Sequence, residues 1–292
     1  MSSLPLRDEF DACAYTQAYP DVAAAIASGL VASAWQHFLL HGRREQRAWF
    51  RQSNRLAGVV TEVSPRDEMF SGNLEHYFDV GESARRVVEN ALATIGRPSS
   101  TVLRILDLPC GHGRVLRFLR AAFPHAELTA CDLNRDGVDF CANQLGAIPV
   151  HSHTKPDEVP LSGAFDLIWC GSLLTHLSQA RCAEFLSLFH RVLAPGGIAV
   201  VTLHGRHYER ELASGRRTVD LPAAQIADLL RQYQAHGFGY VDYADASGYG
   251  FSLAHPRFTF EQLVPALPWR IVGFHEQGWD QRQDVLVLQK PH

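Results

Sequence analysis

The sequence lacks what several large protein classes require. Its 292 residues include 27 Lys and Arg against 31 Asp and Glu, for a formal net charge of −4. Binding to nucleic-acid backbone needs a concentrated basic face, so no nucleic-acid partner is expected. No apolar run reaches the length of a membrane span, and the N-terminus has no basic start followed by an apolar core. We therefore expect a cytoplasmic protein with neither a membrane span nor a signal peptide.

Cysteine is scarce, and the sequence contains no C-x-x-C pair. Several of the six cysteines lie inside apolar, strand-like runs. We interpret them as reduced, mostly buried thiols, as is usual in the cytoplasm. A metal site built from some of the 15 histidines is the alternative. The tight pair His151 and His153 lacks a partner motif such as H-E-x-x-H, so no metal is predicted.

Residues 10–48 differ in pattern from the rest of the chain and predict two short helices. Pro20 and Asp21 suit a first helical turn, and Gly29 and Gly42 can end the helices. The expected apolar faces are Val22, Ala25 and Ile26 in the first helix, and Trp35, Phe38 and Leu39 in the second. Two such helices bury little alone, so the segment is expected to pack on the main domain or on a partner.

From residue 102 onward, short apolar strands alternate with amphipathic helices. Five strands are predicted, in "TVLRILDLP", "AELTACDL", "AIPVHS", "AFDLIWCGS" and "GGIAVVTLHG". This alternation builds β-α-β units and a mainly parallel sheet that helices cover on both faces. A preceding helix within 60–98 has one apolar face, formed by Ala84, Val87, Val88, Ala91, Leu92 and Ile95.

The C-terminal part departs from this alternation. "WRIVGFHEQ" and "QDVLVLQKP" are joined by a short stretch, which predicts an antiparallel pair. Asp280 and Gln283, near this hairpin, are interpreted as turn and strand-edge residues. Residues 205–257 are irregular and rich in aromatics, with one predicted helix at 221–235. Ligands of open parallel sheets bind beyond the carboxyl ends of the strands, where this insertion is expected to cover a substrate.

The segment "ILDLPCGHGR", residues 105–114, ends a strand on an acid and turns on two glycines into a helix. A dinucleotide-binding loop is one interpretation. Asp107 would repel a pyrophosphate, however, and Leu116 is too large for the third small position of G-x-G-x-x-G. A P-loop lysine is also absent. A nicotinamide-dependent oxidoreductase therefore stands only as an alternative.

A ligand with an ammonium group, a sulfonium and a ribose, but no phosphate, suits this loop better. Asp107 can attract the cation, and Gly111 and Gly113 allow a close approach of the backbone. The following helix N-terminus favours a carboxylate. A second acid should then bind two ribose hydroxyls at the end of the next strand. Asp132 stands there, 19 residues after Gly113.

These motifs resemble those of the class I S-adenosylmethionine-dependent methyltransferases over residues 100–205. The resemblance rests on "LDLPCGHGR", "CDLN", "FDLIWCGSLLTHL" and "HRVLAPGGIAVVTLHG". It implies an α/β, Rossmann-like fold with a seven-stranded, mainly parallel sheet and an antiparallel last strand. It also implies S-adenosylmethionine as cofactor and S-adenosylhomocysteine as product.

The family pattern assigns cofactor-binding roles by position. Asp132 is expected to bind the ribose, and Leu133 to pack on the adenine. The complete expected set is Asp107, Pro109, Cys110, Gly111, Gly113, Asp132, Leu133, His151, Ser152, Cys170 and Gly171, with His151 and Ser152 at the adenine edge and Cys170 and Gly171 facing the methionine portion. Pro109 replaces the usual first glycine, so that position must not need a positive φ.

The N-terminal helices resemble a small helical module found beside glycosyltransferase and methyltransferase domains in bacterial cell-surface glycan systems. This resemblance implies a module at 1–55 and a methyltransferase domain at 56–292, with 205–257 as an insertion. The module is interpreted either as a packing cap or as a contact for a protein partner or a dimer.

Methyl transfer needs alignment of the nucleophile and, for a hydroxyl acceptor, removal of a proton. His176 and His204 follow the fourth and fifth strands and are the candidate bases, with helix capping and turn hydrogen bonding as alternative roles. Tyr249 and His255 are candidate substrate-binding residues. The Asn/Asp-Pro-Pro-Tyr/Phe motif of DNA amino-methyltransferases is absent. We expect methyl transfer to a small-molecule or glycan acceptor at oxygen. A non-catalytic module that binds S-adenosylmethionine or a partner is the alternative.

Overall fold

The computed structural model describes residues 10–49, 56–217, 219–244 and 246–292. The chain divides into two units, Met1–Ala57 and Gly58–His292. Residues 1–9, where no signal peptide is expected, lie outside the described residues. Within the described part, no helix has both the length and the apolar character needed to cross a membrane.

The first unit has three short helices around an aromatic core. They are α1 (Ala12–Ala18), α2 (Pro20–Ala27) and α3 (Ala34–His37), which continues as a π-helical turn, Phe38–Gly42. The sequence predicted two helices, and α1 is the additional one. The Asp11 side chain caps it by accepting the Ala14 N–H at 2.8 Å. Val22 is buried as predicted, whereas Leu39 is 40% exposed and His37 is buried instead.

The second unit is an α/β domain with the following elements. Its helices of seven or more residues are α4 (Leu74–Thr94), α5 (Leu116–Ala122), α6 (Arg135–Leu145), α7 (Gln179–Val192), α8 (Arg206–Ala213) and α9 (Ala223–His236). Its strands are β1 (Arg104–Asp107), β2 (Glu127–Asp132), β3 (Ile148–His151), β4 (Phe165–Cys170), β5 (Leu193–Leu203), β6 (Phe238–Tyr243), β7 (Ala246–Ala254), β8 (Arg270–Trp279) and β9 (Gln283–Gln289).

Seven strands form one sheet in the order β3-β2-β1-β4-β5-β9-β8. Strands β1 to β5 pair in parallel, and β9 runs antiparallel to both β5 and β8. The predicted Rossmann-like sheet, mainly parallel with an antiparallel last strand, is therefore confirmed. The antiparallel pairing of the two C-terminal strands is confirmed with it.

The sheet separates two hydrophobic cores, and alternate residues of each strand contribute to opposite sides. On β4, Leu167 and Trp169 belong to the core shared with α4 and α5, whereas Ile168 and Cys170 belong to the core shared with α7. The predicted apolar face of α4 packs on the first of these cores.

Residues 205–257 are more regular than the sequence indicated. Besides α9, they contain α8 and the antiparallel hairpin β6–β7. Tyr208, Leu229 and Phe251 help to form a small core of their own. The prediction of a single helix in an irregular region is therefore wrong. The glycines at 248 and 250 obscured the strand pattern of β7, although the strand requires the second of them, since a Cβ at Gly250 would lie 1.9 Å from the Val241 carbonyl oxygen.

Candidate active site

A cavity of about 300 Å³ lies beyond the carboxyl ends of β1, β2 and β4. Open parallel sheets bind their ligands at this edge. Six of the expected cofactor-binding residues line it, namely Asp107, Pro109, Cys110, Gly111, Asp132 and Gly171. The cavity is therefore the place where the sequence-derived site assembles.

Asp107 ends β1 as a buried acid. Neither of its carboxylate oxygens has a hydrogen bond within the described residues. Burial, and then the charge of Asp132, raises the pKa of Asp107 well above its usual range. A buried carboxylate without a partner is costly unless a ligand provides one. An ammonium group is such a partner, so Asp107 fits the amino-acid portion of S-adenosylmethionine.

The two loop glycines serve different purposes. Both have a positive φ, 50° at Gly111 and 76° at Gly113. A Cβ at Gly111 would meet nothing within 4 Å, whereas one at Gly113 would lie 2.5 Å from Leu145 Cδ1 on α6. Gly111 therefore leaves room for a ligand, and Gly113 allows the loop to pack on α6. Pro109 follows a cis peptide bond.

Asp132 braces the same loop from the end of β2. Its Oδ2 accepts the Gly111 N–H at 2.8 Å, and its Oδ1 accepts the Asn134 N–H at 2.9 Å. Carboxylate oxygens have further lone pairs. Asp132 can therefore accept ribose hydroxyls while it holds the loop.

His112 connects the loop to two other elements, and no sequence motif pointed to it. Its Nε2 lies 2.9 Å from Asp136 Oδ2 on α6, and its Nδ1 lies 3.9 Å from Asp67 Oδ1. Asp67 Oδ2 also accepts a hydrogen bond from the hydroxyl of Tyr77, on α4. The segment Asp67–Met69 lines the cavity as a result, although it precedes the first strand by more than thirty residues.

The residues expected around the adenine lie beside Asp132 without lining the cavity. Leu133 is 59% exposed. His151 pairs with Asp132 in the β2–β3 register, and the Ser152 N–H donates to the Asp132 carbonyl oxygen at 2.8 Å. Their role at the adenine stays a prediction.

On β4, the side chain at the cavity is Trp169 and not Cys170. Cys170 is buried in the core on the opposite side of the sheet, where it packs with Leu106 and Leu174. Trp169 lines the cavity and packs edge-on against Trp279, with ring centroids 5.2 Å apart and an interplanar angle of 82°. The side-chain alternation of a strand explains this correction.

Arg114 is an unexpected cation in the cavity wall. Its guanidinium lies 6.0 Å from the Tyr77 ring centroid and makes no hydrogen bond or ion pair within the described residues. Burial lowers its pKa, against the raising effect of Tyr77, Asp67 and Asp280. The sequence predicted a helix directly after Gly113, but helix α5 begins two residues later, at Leu116. Arg114 is thus better placed than a helix N-terminus to bind a carboxylate.

His176 lines the cavity, together with Tyr249. Its Nδ1 lies 2.8 Å from the Gly250 carbonyl oxygen and 3.1 Å from the Tyr243 hydroxyl, and the Tyr249 ring stacks on it at 5.0 Å. A carbonyl oxygen can only accept, so Nδ1 holds the proton and Nε2 keeps a lone pair. Burial lowers the pKa of His176, which favours the neutral base.

The other two candidates lie elsewhere. His204 is buried between Phe251 and Tyr208, with ring centroids at 4.5 and 3.8 Å, and burial lowers its pKa well below the usual value. His255 accepts the Arg257 N–H at 3.1 Å and lines a separate pocket with Tyr233. Neither lines the cavity with Asp107, so the structure brings only His176 and Tyr249 to it.

Ser172 also lines the cavity and was not predicted. Its φ is 59°, in the left-handed region. Its N–H donates to Thr202 Oγ1 at 2.8 Å, and its Oγ accepts from Gln283 Nε2 at 2.7 Å. Gln283 therefore holds a residue of the cavity wall through its side chain, which is more than the strand-edge role that the sequence indicated.

Comparison with known proteins finds similarity over the segment that runs from β1 to β5. A family model described as "Methyltransferase domain" matches residues 106–199. In sequence, the chain is 34% identical over 102 residues to the fatty-acid O-methyltransferase of Mycolicibacterium smegmatis. This match covers 34% of the chain and 36% of that enzyme, so it spans about a third of the curated relative's length.

Solved structures share the fold at low sequence identity. The sugar N-methyltransferase from a Streptoalloteichus species is 18% identical, with a TM-score of 0.51, 80% of this chain covered and 94% of that chain. An S-adenosylmethionine-bound amino-pentose methyltransferase from Micromonospora echinaspora is 15% identical, with a TM-score of 0.50 and coverages of 78% and 99%.

Proposed function

Because this chain contains a class I S-adenosylmethionine-dependent methyltransferase domain, we propose that it methylates a small-molecule or glycan acceptor at oxygen, with His176 as general base. One observation supports the proposal above all others. His176 lines the same cavity as Asp107, and the Gly250 carbonyl at its Nδ1 leaves Nε2 as the nitrogen that can take a proton. Bound S-adenosylmethionine supplies the activated methyl group.

In this proposal, the chain's own charged groups hold the amino-acid end of the cofactor. Asp107 binds the ammonium group, and Arg114 binds the carboxylate. Both side chains line the cavity, and the Asp107 carboxylate has no hydrogen bond within the described residues. A carboxylate and a guanidinium in one cavity complement the ammonium group and the carboxylate of an amino acid. Asp132 binds the ribose hydroxyls while it braces Gly111.

His176 takes the acceptor's proton as the acceptor oxygen attacks the methyl group. The hairpin β6–β7 supports this role, since Gly250, Tyr243 and Tyr249 contact the imidazole on several sides. Residues 205–257 then act as the substrate cover, with Tyr249 as the acceptor-facing ring. The relatives named above act on a fatty acid and on sugars, in agreement with either type of acceptor.

The test is methyl transfer from methyl-labelled S-adenosylmethionine to panels of hydroxylated metabolites, sugars, carboxylic acids and amines. We expect labelled product with a hydroxyl acceptor, and loss of that product in His176→Ala. A protein that binds the cofactor but labels no member of the panels would support the non-catalytic alternative. Labelling of amines alone would contradict the oxygen assignment.

A further inference from the structure

Three polar residues form a closed hydrogen-bonded ring at the carboxyl ends of β4 and β5 and the amino end of β9. The Ser172 N–H donates to Thr202 Oγ1 at 2.8 Å, the Thr202 hydroxyl donates to Gln283 Oε1 at 2.6 Å, and Gln283 Nε2 donates to Ser172 Oγ at 2.7 Å. The ring does not use the hydroxyl proton of Ser172. That proton finds no acceptor in the part of the chain that the structure describes, and Ser172 lines the cavity.

The direction of this ring follows from burial. If the Gln283 amide were reversed, its nitrogen would donate to Thr202 and its oxygen would accept the Ser172 proton. The unpaired proton would then belong to Thr202, which is fully buried. A buried donor without an acceptor is costly. The observed direction instead leaves the unpaired proton on Ser172, where a ligand can accept it.

The backbone alone does not explain a serine at this position. A φ of 59° is unfavourable for a residue with a side chain, and glycine adopts it without that cost. The Ser172 N–H bond to Thr202 and the Gln283 bond to its hydroxyl hold the strained residue in place. Strain of this kind is concentrated at functional sites.

We propose that Ser172 selects oxygen over nitrogen acceptors by donating this proton to the nucleophilic atom, an inference that rests on the proposed function. A hydroxyl acceptor gives its proton to His176 and has two lone pairs, one for Ser172 and one for the methyl group. A neutral amine has a single lone pair, which the methyl group requires. With an amine, the Ser172 proton is left unpaired, which costs binding.

The test uses sinefungin, a non-reactive analogue in which a carbon bearing an ammonium group replaces the sulfonium and its methyl. Its ammonium occupies one lone pair of the acceptor, as the methyl group would. Phenol and aniline are the probes, because both are neutral near pH 7.5 and nearly identical in shape. Their dissociation constants for the sinefungin complex are measured by titration calorimetry or by NMR.

Two variants remove the Ser172 donor in different ways. Ser172→Ala deletes the hydroxyl. Gln283→Glu keeps the shape of the ring but presents two acceptor oxygens, so the Ser172 proton turns toward Glu and away from the cavity. Gln281→Glu, at an exposed turn position two residues away, adds the same charge and is the matched control.

We expect the wild-type complex to bind phenol about tenfold more tightly than aniline, the scale of one unpaired donor. The ratio should fall severalfold in both Ser172→Ala and Gln283→Glu and persist in Gln281→Glu, with sinefungin affinity within about twofold throughout. A ratio that survives in both variants overturns the role of Ser172 and leaves the proposed function intact. Equal binding of both probes by the wild-type complex also overturns the role of Ser172, whereas the proposed function is overturned only if no hydroxyl acceptor is labelled in the methyl-transfer panels.

Discussion

The carbonyl oxygen of Gly250 accepts a hydrogen bond from Nδ1 of His176 at 2.8 Å. This contact joins the hairpin β6–β7 to the residues that follow β4, 74 positions earlier in the chain. The insertion at 205–257, which was expected to cover a substrate, therefore also fixes the tautomer of His176, the candidate base. Close packing of Gly250 on Val241 keeps that carbonyl in place.

His176→Ala is expected to reduce kcat by about 10²–10⁴-fold, the usual contribution of a positioned general base. Affinity for S-adenosylhomocysteine should not change, because the imidazole has no assigned role in cofactor binding. The base must be neutral, and burial lowers its pKa. The acid limb of the wild-type pH–rate profile should therefore lie below about 6.5 and disappear in the variant. Tyr208→Phe, which leaves His176 and its contacts unchanged, is the control. An unaltered rate in His176→Ala would exclude His176 as the base.

Asp107→Asn should stabilise the ligand-free protein and weaken cofactor binding together. A carboxyl whose pKa is raised by folding costs stability as pH rises through that pKa. Replacing this acid, which ionises more readily in the unfolded chain than in its buried site, should add about 1 kcal/mol, or roughly 2–4 °C in Tm, at neutral pH. The gain should vanish below about pH 3.9, where aspartate is protonated in both states. Thermal melts with and without S-adenosylhomocysteine measure both effects, and a destabilised variant that binds normally would refute this role.

Arg114→Gln should weaken the binding of S-adenosylhomocysteine by about 1.5–3 kcal/mol, the scale of a hydrogen bond to a charged group. The variant should bind 5′-methylthioadenosine as the wild type does, because that ligand lacks the amino-acid portion. Titration of both ligands into both proteins separates the two contributions. Equal losses for the two ligands would mean that Arg114 supports the loop and does not contact the carboxylate.

The residues that local patterns can identify were predicted. Asp107 and Asp132 end apolar strands, and parallel strands place their carboxyl ends at one edge of the sheet, so strand order and acid position were enough to bring them together. The sheet itself followed from the alternation of strands and helices. At Cys170, the prediction identified the correct strand end but the wrong face, since one residue along a strand reverses the side-chain direction.

The rest of the site depends on contacts between distant segments. Ser172 and Gln283 are 111 positions apart. Trp279 contacts Trp169 at the edge where β4 ends, because β9 runs antiparallel to both β5 and β8 and so β8 ends at that same edge. Asp67 enters the site through His112, which a sequence pattern does not distinguish from an ordinary loop histidine. The hairpin β6–β7 was missed because glycines interrupt its alternation, although one of them sits where the hairpin holds His176.

Titration calorimetry of the wild-type protein with S-adenosylhomocysteine, in two buffers of different ionisation enthalpy, tests the account most directly. Asp107 has a raised pKa in the free protein, and an ammonium partner favours its ionised form. We therefore predict that S-adenosylhomocysteine binds with micromolar affinity, that binding releases a proton, and that it weakens as pH falls. The proton release should disappear in Asp107→Asn, and NAD should not bind. Binding of NAD, or no binding of S-adenosylhomocysteine, would contradict the assignment of this cavity.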